Sequence, residues 1–161
     1  MNLSDEVIIP VPRQKVWEGL NDPEILKQCI PGCEEIIKHS DTEMEARVTI
    51  KMGPVKATFK GAVTLSDIDA PNGYRISGEG KSMMGGATGG ANVKLEEVPG
   101  GTRLTYDVDA QVTGKIASLA QRFIEPTARQ LSAQFFETFA AVVSGDGAAN
   151  VNAKKPKKKK K

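Results

Sequence analysis

Two cysteines, one histidine and a Gly-Lys-Ser triplet are the groups in this chain whose types and spacing first suggest chemistry. Cys29 and Cys33 flank Ile-Pro-Gly, but a structural zinc site needs four thiolate or imidazole ligands and only His39 remains. No metal site is expected, and the two cysteines read as reduced, buried thiols. His39 follows Lys38 in a polar strand end, with no nucleophile or orienting group at a useful spacing. Gly80-Lys81-Ser82 imitates the end of a phosphate-binding loop. The glycine required five positions earlier is Arg75, and no helix is expected to follow. The dinucleotide spacing fails as well, because Met84 stands two residues before Gly86. Arg103, Asp107 and Asp109 alternate with apolar residues and read as the wet face of a strand. No acid–base pair emerges, so no catalytic residue is expected and the chain does not read as an enzyme.

The elements that would position these groups follow from periodicity. Residues 115–143 place Ile116, Leu119, Ala120, Phe123, Ala128, Leu131, Phe135, Phe139 and Val142 at spacings of three and four. This predicts one long amphipathic helix spanning about 43 Å, kinked at Pro126, whose ring removes the amide that would bond Arg122. Upstream, residues 3–12 open as a strand. Pro12 sits at the start of a short helix carrying Val16, Trp17 and Leu20, and Asp22 caps a second that begins at Pro23. Ile36 and Ile37 mark a further strand. From Glu43 the alternation is strict, with Met44, Ala46, Val48, Ile50 and Met52 on one face. Gly53-Pro54, Pro71-Asn72-Gly73 and Pro99-Gly100-Gly101 punctuate the later strands. Seven strands, two short helices after the first and a long terminal helix predict an α+β fold, a curved antiparallel sheet gripping that helix.

Inward positions on this sheet are often small or flexible: Met44, Ala46, Met52, Ala57, Gly61, Gly78, Ala91 and Ala110. Facing Ala120 and Ala128, they are expected to leave an apolar void, the usual form of a ligand pocket. The alternative is a close approach of helix to sheet with no cavity. Residues 78–90 hold six glycines in turns and bulges, with Met83 and Met84 as a soft lid or as exposed residues of a mobile hairpin. Trp17 reads as core packing in preference to ligand stacking.

Composition is that of a globular protein, 39% hydrophobic and 26% charged. Residues 1–11 do not resemble a signal peptide, and no stretch approaches the ~20 apolar residues of a spanning helix. A net charge of +2 conceals a division. Lys154, Lys155, Lys157, Lys158, Lys159, Lys160 and Lys161 crowd the last eight residues, leaving 15 basic against 20 acidic residues elsewhere. The body thus carries −5 and the tail +7. One domain over residues 1–144 is expected, then a linker and polylysine tail over 145–161. The tail would hold the chain reversibly at an anionic membrane surface or an acidic partner. Nucleic acid, which polylysine would equally coat, is not expected as the partner.

Several stretches together resemble one family. They are Asn21-Asp22-Pro23-Glu24 leading to Cys29-Ile30-Pro31-Gly32-Cys33, Met52-Gly53-Pro54-Val55 with Phe59-Lys60-Gly61, residues 78–91, residues 101–106 and Gly114-Lys115-Ile116-Ala117. Residues 1 to 144 are similar to the carbon monoxide dehydrogenase G-subunit (CoxG) family of the SRPBCC (START-like) superfamily. The resemblance implies the helix-grip fold, no catalytic residues, and a role beside a molybdenum-containing carbon monoxide dehydrogenase or related hydroxylase at the inner face of the cytoplasmic membrane. With the expected cavity, the resemblance supports a lipid-sized lipophilic small molecule as the ligand of a non-catalytic carrier, with no permanent cofactor. The membrane and electron-transfer setting makes a respiratory quinone, or another lipid, the expected guest. The expected lining is Met44, Val48, Phe59, Val63, Tyr106, Val108, Ile116, Leu119, Ala120, Phe123, Leu131 and Phe135, with Met83 and Met84 at the entrance. The rival expectation is an assembly or docking factor whose interior is full. A small cyclase or hydrolase would need a polar pair inside, and Tyr106 alone is too little.

Overall fold

The computed structural model describes residues 1–145. Gly145 apart, the expected linker and its seven lysines lie outside the described residues. The strands are β1 (Asn2–Ile9), β2 (Cys33–Lys38), β3 (Glu43–Met52), β4 (Val55–Asp69), β5 (Gly73–Ser82), β6 (Gly85–Val98) and β7 (Gly101–Val112). They form one antiparallel sheet in the order β1-β7-β6-β5-β4-β3-β2. Each hairpin from β2 to β7 joins sequence neighbours, so only β1 must travel, crossing to β7 at the far edge. Helices α1 (Arg13–Leu20) and α2 (Pro23–Cys29) carry the chain from β1 to β2. Pro12 precedes α1, and the Asp22 carboxylate accepts the Glu24 amide at 2.9 Å, capping α2 as the sequence predicts.

The C-terminal helix is not continuous. Helix α3 (Lys115–Leu119) ends at Ala120, a 3-10 turn covers Gln121–Phe123, and α4 (Ile124–Val143) follows. The expected kink at Pro126 is therefore displaced. Pro126 is the third residue of α4, where the missing amide has no intrahelical partner to lose. The proline sets the start of α4 instead of bending its middle, and the chain redirects ahead of it. Phe123, in that turn, packs over Gly53 in the β3–β4 turn. Gly53 has φ +57, and any side chain there would strike the Phe123 ring.

Residues 78–90 also differ from expectation. They run as regular β5 and β6 through an unbroken register to a two-residue turn at Met83-Met84. The bulges lie elsewhere, between Cys33 and Glu35 and between Ser66 and Asp69. Glycine weakens a strand without breaking it when both neighbouring strands supply the full ladder.

The buried interior falls into two clusters. The upper one gathers Ile9, Val11, Val16, Leu20, Cys29, Leu65, Leu95, Leu104 and Phe139 around α1, α2 and the C-terminal half of α4. Gly19 of α1 lets α4 approach closely, since a Cβ there would lie 2.8 Å from Val143. Trp17 sits at this end against Tyr74, with ring centroids 5.1 Å apart, as the packing reading expects. The lower cluster holds Met52, Val55, Ala57, Phe59, Ile116 and Ala120.

Candidate ligand cavity

Between the two clusters two rows of the sheet carry mostly small side chains or none. One row across it reads Ala46, Gly61, Gly80, Ala87, and the next reads Met44, Val63, Gly78, Gly89, Ala110. Backbone amides and carbonyls in these rows are engaged by the ladder, so the glycine floor is apolar to whatever lies on it. Helix α4 passes above and contributes Thr127, Ala128, Leu131 and Phe135 to the space over this floor. The space left is a cavity in two lobes. The upper, about 370 Å³, is closed by Leu20, Leu26, Tyr74 and Leu104. The lower, about 480 Å³, is more open and is bounded by Met52, Phe59 and Ile124. Ala46, Val48, Val63, Ile76, Ala91, Val108 and Leu131 line both, so the lobes are continuous. Each volume falls in the range of small-molecule sites. A larger cleft of about 750 Å³ on the outer face is lined by charged and amide side chains that pair with one another, such as Arg13 with Asn72 at 2.7 Å.

Eight of the residues expected to line the cavity meet there. Val48, Val63, Val108 and Leu131 face both lobes, Met44, Tyr106 and Phe135 the upper, and Phe59 the lower. The other six lie below it. Ile116 and Ala120 are buried in the lower cluster, with Met84 and Phe123 packed against it. Leu119 and Met83 point into solvent, 55% and 103% exposed. For the four helix residues the break before Pro126 is the reason: it turns α3 away from the line of α4. Sequence reasoning missed Ile30, Ile50, Ile76 and Val93. The three strand residues lie on the inward alternation and were legible there. Ile30 follows α2 and carried no signal.

Polar groups facing the interior are few. The Tyr74 hydroxyl donates to the Leu20 carbonyl at 3.4 Å and is committed to that bond. Burial pushes its pKa well up. Tyr106 stacks on Phe136 of α4 at 5.0 Å and shares a hydrogen bond with Ser132. Burial raises the Tyr106 pKa and Asp5, opposite it on β1, adds to the rise, while Ser132 and Arg129 oppose it. Tyr106 and Ser132 also line a recess of about 380 Å³ between β1 and α4, where Asp5, Glu6, Arg129 and Glu137 gather. Beside the committed Tyr74 hydroxyl, the upper lobe thus has one hydroxyl pair at a polar margin and is otherwise lined by hydrocarbon.

The remaining groups considered for chemistry are apart from the cavity, except that Asp109 borders the lower lobe. Arg103 reaches Glu6 and Glu96, each at 3.5 Å, Asp107 accepts the Ser4 hydroxyl, and Asp109 accepts the Gly90 amide. His39 lies 3.4 Å from Glu45 on the surface. Among the described residues no three of His, Cys, Asp and Glu converge. The thiols are free and unlike: Cys29 is buried, and Cys33 is only half-buried. Burial pushes the Cys29 thiol from 9.0 up to about 12. Cys33 is also raised by burial, against a backbone hydrogen bond and Lys27. At about pH 8 an aromatic disulfide reagent should therefore modify Cys33 in the native protein and Cys29 only after unfolding. Between 9.0 and about 12 the unfolded chain has released a Cys29 proton that the native one retains. Stability should fall as pH rises through that window, which alkaline melts will read.

The sequence model of the family described as the carbon monoxide dehydrogenase G-subunit (CoxG) matches residues 6–144. No curated protein matches the sequence. Among solved structures, a conserved protein from Geobacillus kaustophilus superposes with a TM-score of 0.84 at 26% identity, covering 91% of this chain and 97% of that one. A protein from Arthrobacter aurescens gives 0.67 at 19% identity, with 97% and 93% covered. One from Mycobacterium smegmatis gives 0.67 at 15%, with 89% and 90% covered. The last two carry the fold alone. The fold is the helix-grip fold that the order of strands predicts.

Proposed function

The chain belongs to the CoxG family, the G-subunit family of carbon monoxide dehydrogenase, and from that premise we propose that it is a non-catalytic carrier of a lipophilic small molecule. Its family gives it an accessory role beside carbon monoxide dehydrogenase. In our reading the partner is a molybdenum-containing enzyme of that kind or a related hydroxylase, the guest is a respiratory quinone, and the chain brings the two together at the inner face of the cytoplasmic membrane. The observation that carries the proposal is the two-lobed, mainly apolar cavity with the Tyr106–Ser132 hydroxyl pair at the margin of its upper lobe. An isoprenoid or acyl chain would lie on the glycine floor of the lower lobe. A ring carbonyl would accept a hydrogen bond from Tyr106 or Ser132 in the upper lobe. Among the described residues no helix is long and apolar enough to cross a membrane, so a carrier would meet its guest from the surface.

Organic extraction of the purified protein followed by mass spectrometry should recover a lipid near one mole per mole. Titration with a short-chain quinone should quench Trp17 saturably, through Tyr74, which lines the upper lobe. No extracted lipid together with no saturable quenching would overturn the carrier.

A further inference from the structure

We propose that the lower end of the body, formed by the β5–β6 turn, α3 and the 3-10 turn after it, is a docking surface for an anionic lipid bilayer. Met83 and Leu119 project there as exposed large apolar side chains, 103% and 55% accessible. Their immediate neighbours are anchored. Met84 packs on the lower cluster, and its carbonyl accepts the amide of the buried Ile116 at 2.9 Å. The two side chains are therefore held outward by a fixed base. Apolar tips held this way suit insertion among acyl chains.

Cations ring the tips. Lys115 begins α3, and Arg122 lies over the Phe123 ring at 5.2 Å. On the outer face of the adjoining strands Lys51 stands opposite Lys56, and Lys60 opposite Lys81. Like charges directly opposed across a sheet are unfavourable, and an anionic surface relieves them. Lys51, Lys60, Lys81 and Lys115 form no ion pair among the described residues. Lys56 acts on Glu34, which Arg47 already holds at 2.8 Å. Of the acidic groups at this end, Glu125 is bound to Arg129 at 3.2 Å, and Glu79 alone faces outward beside Lys81. The balance is strongly positive on a body whose overall charge is negative.

The surface is distinct from the lysine tail. That tail follows Gly145, at the opposite end of α4, which at 1.5 Å per residue lies about 30 Å away. The inference does not need the cavity to be filled, although the more open lobe reaches this same end through Gly80, Ala87 and Ile124.

The test is sedimentation of the full chain, tail included, with vesicles of phosphatidylcholine alone or mixed with phosphatidylglycerol. The wild-type chain should bind the mixed vesicles and scarcely the neutral ones. Met83→Asp with Leu119→Asp, and separately Lys60→Glu with Lys81→Glu, should each weaken that binding by about tenfold or more. All four side chains are exposed, so circular dichroism should be unchanged. Binding unaltered in both double variants would assign attachment to the tail alone and overturn the proposal. It would equally fail if the wild-type chain ignored anionic vesicles, or if the variants lost only their hold on the partner enzyme, which would make this a protein-binding face.

Discussion

Ala46→Trp should strongly weaken uptake of a lipophilic guest while leaving the protein folded. Ala46 lies on the inward face of β3, between Ile36 and Gly61, where the two lobes meet. An indole there enters space that no side chain occupies, so it gains contacts in place of displacing them. Guest affinity should drop by roughly ten- to hundredfold, because the guest must then be accommodated against an overfilled site. The melting temperature should hold or rise. Lipid extracted per mole and Trp17 quenching, corrected for the new indole, read the first effect, and a thermal melt reads the second. Uptake that persists would place the guest elsewhere. Loss of uptake with retained binding of the partner enzyme would separate carrying from docking, which the family's accessory role leaves joined.

Phe139→Ala should be among the most destabilising single changes in the chain. Phe139 is fully buried, stacks on Phe135 at 5.6 Å, and touches the helix α1 where Gly19 admits it. Truncating such a ring costs about 3–5 kcal/mol, a large share of the ~5–15 kcal/mol that holds a domain together. A fall of roughly 10–20 °C in melting temperature follows. Phe135→Ala is the informative comparison. Its ring faces the upper lobe, so its removal widens a space already present and should cost about half as much or less. Equal losses in the two variants would mean that Phe135 is packed as tightly as Phe139 and that the space beside it is closed.

Much of the fold was legible because two periods dominate the chain. The alternation in β3, β4 and β7 named the inward face of the sheet, and Gly53-Pro54 and Pro99-Gly100 named its turns. Asp22 before Pro23 marked a helix start by capping chemistry alone. The small residues Ala46, Gly61, Gly78 and Ala91 pointed to the place of the cavity, yet could not tell a void from a close approach. Helix-to-sheet distance depends on α4 resting at its two ends, on Gly19 and on Gly53 by way of Phe123, which no local pattern encodes. The same limit misled the reading of residues 115–123. Their spacing continues that of α4, so periodicity joins them. Pro126 was read as a kink when first-turn chemistry makes it a beginning. Ile116, Leu119, Ala120 and Phe123 then left the cavity together, because one break moves every side chain on its far side.

That the apolar interior comes as two parcels has a bearing on how the molecule opens. Cooperative unfolding units tend to follow such divisions, and the lower parcel is the smaller, tied to the rest by strands and a single helix. Amide protons of α3 should exchange through a partial opening that leaves α1, α2 and the end of α4 protected. A door that swings on its own hinge lets contents change hands without the house coming down.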